Sequence, residues 1–167
     1  MMQVNFPVIL ISALIPVLVG ALWYHPALLG KMWMRESGIR PELLTKGNKM
    51  LIFGMSFLFS FLLAFSLQFM VIHQWHLYSI VANDIELEGA GGKAAIWIED
   101  AMRIYGENFR TFKHGAFHGV LVGLLTATPF VGVLALLERK SFKYIFIHNL
   151  YWTICIALMG GIICAFS

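Results

Sequence analysis

Four apolar runs, at about residues 6–24, 50–72, 115–137 and 144–166, fill most of this 167-residue chain. Each is close to the ~20 residues a helix needs to cross the hydrocarbon core of a bilayer. Lipid offers no hydrogen bonds to backbone N–H and C=O groups, so a spanning segment must satisfy its own; helices do this and isolated strands do not. The pattern predicts an all-α membrane protein: one integral membrane domain over residues 1–167, built as a compact bundle of four transmembrane helices. Composition agrees, with 59% hydrophobic and only 13% charged residues, about half the charged share of a soluble domain. The net charge of +3 would suggest nucleic acid in a soluble protein. Here the bases lie between apolar runs, where they set topology, and no nucleic-acid partner is expected.

The start, MMQVNFPVILISAL, lacks a basic n-region and is read as an uncleaved first span. The first loop carries Lys31, Arg35, Arg40, Lys46 and Lys49, and the turn between spans three and four carries Arg139, Lys140 and Lys143. Alternation puts these two loops on one side, with eight of the twelve Lys and Arg residues. Positive-inside places that side in the cytoplasm and both termini outside, in a bacterial cytoplasmic (inner) membrane. Cys155 and Cys164 lie nine residues apart on the fourth span. A helix separates them by about 13 Å, too far to bridge, and they read as core filler.

Loop 2, about residues 73–114, holds Asp84, Glu86, Glu88, Glu99, Asp100 and Glu107 with few bases. Its EGAGGK stretch reads as a flexible turn. Residues 93–112 then set Trp97, Ala101, Ile104, Tyr105 and Phe112 at helical spacing among charges. That is an amphipathic helix, lying at the outer interface or packed over the bundle.

Membrane helices associate through close packing and polar contacts, so small residues at helical spacing mark inner faces. The candidates are Ala13, Pro16 and Gly20 on span one, and Ser56, Ser60, Ala64 and Gln68 on span two. Span three offers Gly115, Gly119 and Gly123, and span four Asn149, Thr153, Ala157, Gly160 and Gly161. The stripe Phe146, Leu150, Ile154, Leu158 and Ile162 is read as lipid-facing. Overlapping GxxxG units also suit a homodimer seam along span three. Pro129 frees the carbonyl of Leu125 and Pro16 that of Ser12, with Thr126 and Thr128 placed to re-satisfy the first. Gln68, Asn149 and Thr153 would line any solute path, although helix glue explains them as well.

Histidines supply the plausible chemistry. His73 and His76 end span two and His114 and His118 begin span three, all on the predicted outer side. Spacings of i,i+3 and i,i+4 let each pair face one way. Together they offer four nitrogens to zinc or copper, or axial ligands to a haem. The plainer alternative is interfacial rings bonded to Gln74, backbone carbonyls or water. His25 and His148 lie near the other face, and KMWM from Lys31 reads as an interfacial anchor.

WYHPALLGKMWM (23–34), LLERKSFKYIFIHNLYW (136–152) and LMGGII (158–163) together resemble a family of small bacterial and fungal membrane proteins catalogued as domain of unknown function 1761. The resemblance covers both ends of the chain and the helix order. It implies four spans and an integral membrane location, and no established activity. Within these motifs Ser141 is placed to cap span four, and Pro26 disfavours helix at His25. With no nucleophile–base pair or phosphate loop in view, the leading expectation is a non-enzymatic accessory or scaffold subunit. It would act through contacts in the bilayer with a larger membrane complex or a second copy, with no cofactor. A small oligomeric carrier or channel is the first alternative, and a metal- or haem-binding protein the second.

Overall fold

In the computed structural model residues 3–44, 46–89 and 91–167 are described, and among them there is no strand. Ala90, inside the EGAGGK stretch read as a turn, lies outside the described residues, as do Met1, Met2 and Thr45. The elements are α1 (Phe6–Trp23), α2 (Gly30–Ser37), α3 (Pro41–Leu44), α4 (Lys49–Val71), α5 (Gln74–Glu88) and α6 (Lys93–Tyr105). Then come α7 (Phe112–Val122), a π-helical turn (Gly123–Ala127), α8 (Thr128–Leu137) and α9 (Phe142–Phe166). Four helical units are long and apolar enough to cross a membrane: α1, α4, the continuous α7–π–α8 unit and α9. The chain therefore has the make-up of an integral membrane protein.

Each of the four units starts on a capping side chain. Asn5 accepts from the N–H of Val8, Asn48 from Leu51, Thr111 from His114 and Ser141 from Tyr144. Every cap satisfies one of the N–H groups that the first helical turn leaves without a partner.

Helix α9 is the hub, packing against α7, α1 and α4. Ile147, Tyr151, Cys155, Ile156, Met159, Ile163 and Cys164 are buried along it, while Phe146, Leu150 and Leu158 face outward. Ile154 and Ile162, of the same stripe, are half-buried. The α7 glycines seat against this hub. A Cβ on Gly119 would lie 2.6 Å from Ala157 Cα, and one on Gly123 would lie 2.7 Å from Thr153 Cα. One on Gly115 would collide with the carbonyl of Gly160. The GxxxG face that suited a homodimer is thus filled by the chain's own α9. Gly20 sits against the Tyr151 ring and Ser60 is buried, but Ser56 is exposed, contrary to its reading as a packing residue. It faces a groove of about 480 Å³ bordered by Gly20, Tyr24, Trp33 and Tyr151, so no helix lies against it.

The two prolines are accommodated differently. The Pro16 carbonyl accepts a 2.7 Å hydrogen bond from the buried Tyr151 hydroxyl. Pro129 follows the π-helical turn, in which the Gly123 carbonyl takes both the Thr128 N–H and the Thr128 hydroxyl, the latter at 3.0 Å. Thr128 does re-satisfy an opened turn, but at Gly123 rather than Leu125.

Both long connections hold more helix than the sequence reading assigned. Loop 1 contains α2 and α3. Helix α2 docks where α9 begins: Lys140 Nζ donates to the Ser37 carbonyl at 2.8 Å and the Ser141 hydroxyl to Glu36 at 2.6 Å. The hydrogen bond from Ser141 and then one from the Arg35 Nε at 3.0 Å hold the Glu36 carboxyl below its ordinary pKa. Trp33, read as a lipid anchor, packs on Tyr24 with ring centroids 5.0 Å apart. Loop 2 forms a hairpin of α5 and α6, in which the amphipathic helix ends at Tyr105 instead of near 112. It buries Ala94 and Ile98 and leaves Trp97, Ile104 and Tyr105 exposed.

Candidate metal centre

Helix α4 stops at Val71 because Ile72 takes an extended conformation (φ −110°, ψ 104°), and the chain restarts as α5 at Gln74. His73 occupies the corner between them. His76 falls in the first turn of α5 and is exposed. His73 caps α5 with helical backbone running on to His76, but the extended Ile72 re-aims α5 relative to α4, and only the capping ring meets the α7 pair. On α7 the i,i+4 pair persists, with the His114 and His118 ring centroids 4.5 Å apart.

The seating of α7 on α9 and beside the end of α4 brings three rings together. His73 Nε2 and His114 Nε2 share a hydrogen bond of 2.9 Å, and the His73 and His118 rings are 4.9 Å apart. One ligand nitrogen from each of His73, His114 and His118 lies within 4.8 Å of the other two. His76, the fourth ring of the sequence reading, is not in this group. Burial first, then the neighbouring His114 and His76, lower the His73 pKa and favour its neutral form.

The backing comes from the turn at 106–111. Gln74 is buried, and its Nε2 donates to the carbonyls of Tyr105 (3.0 Å) and Asn108 (2.9 Å) rather than to a histidine. Phe109 sits at φ 63°, a conformation costing about 1–3 kcal/mol that persists only where its surroundings impose it. Here they do. The Phe109 carbonyl accepts from the Thr111 N–H (2.8 Å) and the Cys164 thiol (3.3 Å), and Arg110 Nε donates to the Cys164 carbonyl (3.2 Å). The Phe109 ring is thereby set edge-on to His73 and 4.9 Å from His114.

Three imidazoles, with no carboxylate or thiolate in the group among the described residues, suit zinc or copper rather than calcium or magnesium. Bonds of about 2.0–2.1 Å in a tetrahedron put neighbouring nitrogens roughly 3.3 Å apart. The 2.9 Å between His73 and His114 is the spacing of a direct hydrogen bond, and a tetrahedral ion there would need that pair to open by about 0.4 Å. Axial haem ligands stand instead on opposite sides of the iron, about 4 Å apart across the macrocycle. Rings in mutual contact, two of them from one helix face, do not fit that arrangement.

The other singled-out residues are dispersed. Gln68 is buried and its Nε2 donates to the Phe65 carbonyl. Asn149 and Thr153 border a shallow groove with Leu124 and Thr128, which Gln68 does not reach. His148 shares a 2.9 Å hydrogen bond with the Tyr24 hydroxyl at the opposite end, where His25 accepts from the N–H of Ala27. Of the residues that build the site, sequence reasoning missed Phe109 and the clamping role of Gln74.

The family described as protein of unknown function (DUF1761) matches residues 7–164, nearly the whole chain. No curated protein and no solved structure matches.

Proposed function

We propose that this chain, which belongs to the DUF1761 family of unknown function, is a membrane protein that holds one zinc or copper ion. The ligands are His73, His114 and His118, at the end of the bundle where α4 stops and α7 begins. The convergence of three ring nitrogens within 4.8 Å, from two separate elements, carries this reading. One helix face alone would bring two of them together; the third needs the tertiary fold. The basic residues of loop 1 and of the α8–α9 turn gather at the other end, where Lys140 and Ser141 touch α2. Positive-inside then sets the histidines on the extracytoplasmic side.

The test is metal analysis of the protein purified in mild detergent and equilibrated with zinc. One ion per chain is expected, with zinc–nitrogen distances near ~2.0–2.1 Å by X-ray absorption. His118→Gln should abolish retention and His76→Gln should leave it intact, both at unchanged thermal stability. Substoichiometric zinc in the unmodified protein, or equal losses in the two variants, would refute the assignment.

A further inference from the structure

We infer that the ion's fourth coordination position serves an exogenous molecule: a small, mainly apolar ligand bearing one nitrogen or oxygen donor. Its seat is the cavity between α5 and the 106–111 turn. The inference rests on the metal reading above. Three protein ligands leave a tetrahedral ion one position short, which is the mark that separates open sites from closed structural ones. Among the described residues no fourth His, Cys, Asp or Glu joins the triad. His76 stands outside the group. The Cys164 thiol is already donating to the carbonyls of Val71 and Phe109, at 3.4 and 3.3 Å.

Beside the triad lies a cavity of about 370 Å³, lined by His73, Gln74, Leu77, Tyr105, Asn108 and Phe109. That volume lies within the usual range of small-molecule pockets, roughly 300–1,000 Å³. His73 belongs to both the cavity and the cluster, and Phe109, which lines the cavity, packs on the His73 and His114 rings, so a molecule seated in the cavity adjoins the ion through His73. The Gln74 amide N–H groups are committed to two backbone carbonyls. The walls therefore offer Leu77, Phe109 and the Tyr105 ring to an apolar body, with few polar contacts to compete. Phe109 borders the cavity and contacts both the His73 and His114 rings.

The full-length protein in mild detergent, loaded with cobalt as a coloured substitute, gives the readout. Imidazole and 4-phenylimidazole are titrated while the visible cobalt bands are followed. Both should shift the bands, and the phenyl probe should bind about tenfold or more tighter because its ring is buried. Leu77→Trp, which narrows the cavity without touching a ligand, should keep its cobalt and lose that preference. Failure of the unmodified protein to take up cobalt overturns the metal reading itself. Cobalt bound with bands insensitive to both probes overturns the open position alone. Equal affinity for the two probes overturns the apolar seat.

Discussion

Replacing Gly119 by Ala adds one methyl group where α7 meets α9, and the structure sets what that methyl must displace. Its Cβ would lie 2.6 Å from Ala157 Cα and against the Ile156 backbone. Ordinary contact begins near 3.4 Å, so the helices must part by at least about 0.8 Å, a gap at which dispersion contacts lose a quarter to a half of their well. Overpacking of this kind costs about 1–3 kcal/mol. Gly132 provides an internal comparison on the same span, because a Cβ there meets nothing within 4 Å. Gly132→Ala should therefore gain about 0.5–1 kcal/mol from reduced chain freedom. The two variants differ by about 1.5–4 kcal/mol, or roughly ten- to several-hundred-fold in the unfolding equilibrium. Unfolding in mixed micelles of mild detergent and dodecyl sulfate, followed by circular dichroism, measures both. Gly119→Ala at wild-type stability, or Gly132→Ala the more damaging, would show that the glycine seam does not seat α7.

Tyr151→Phe removes the hydroxyl that donates to the Pro16 carbonyl and should cost about 0.5–1.5 kcal/mol in the same assay; no change would mean the bond contributes nothing. The carboxylate of Glu36 is favoured in the fold, so its contribution is present above the ordinary value of 4.5 and is lost as pH falls through the lowered one. Trp33 fluorescence should report α2 loosening over that acidic range, and Glu36→Gln should flatten the profile; an identical pH profile in the variant would count against the contact. Gln74→Leu keeps volume but strips the 106–111 turn of its two clamping bonds. By analogy with outer-shell substitutions, zinc affinity should fall about 10–100-fold at unchanged span stability; undiminished zinc affinity would remove the turn from the site.

The four spans were legible because lipid forces each segment to satisfy its own backbone, which leaves long apolar runs in the sequence. The glycine seam was legible for a related reason: close approach in lipid needs small residues, and Gly115, Gly119 and Gly123 recur every four positions. Helix α5 was missed although Leu77, Ile80, Val81 and Ile85 carry helical spacing, because the acidic, Gly-rich stretch after them reads as loop. The third histidine of the cluster was not separable from its neighbour. Whether His73 or His76 joins the α7 pair depends on Ile72 turning extended, and a β-branched residue in an apolar run gives no such notice. Phe109 is harder still. A bulky residue at positive φ is held by Cys164 at its own carbonyl and by Gln74 through the carbonyls of Tyr105 and Asn108, contacts that exist only once the chain has folded.

The π-helical turn at Gly123–Ala127 also acts as a counting frame for the third span. An α-helix advances about 100° per residue, so a turn holding one residue more than an α turn takes up an insertion locally. Gly115, Gly119 and Gly123 before it, and the buried Ala135 after it, all remain directed into the bundle. Deleting one residue between Gly123 and Ala127 should close the stretch to ordinary α-helix with both faces preserved, provided Pro129 is replaced as well, since its ring would then meet the carbonyl four residues back. A single deletion between Phe130 and Leu134 should instead swing Ala135 away from the bundle and carry the α8–α9 turn around with it. Insertions and deletions within this span are therefore not equivalent by position: five consecutive residues can change the length of the helix without changing what either half of it faces.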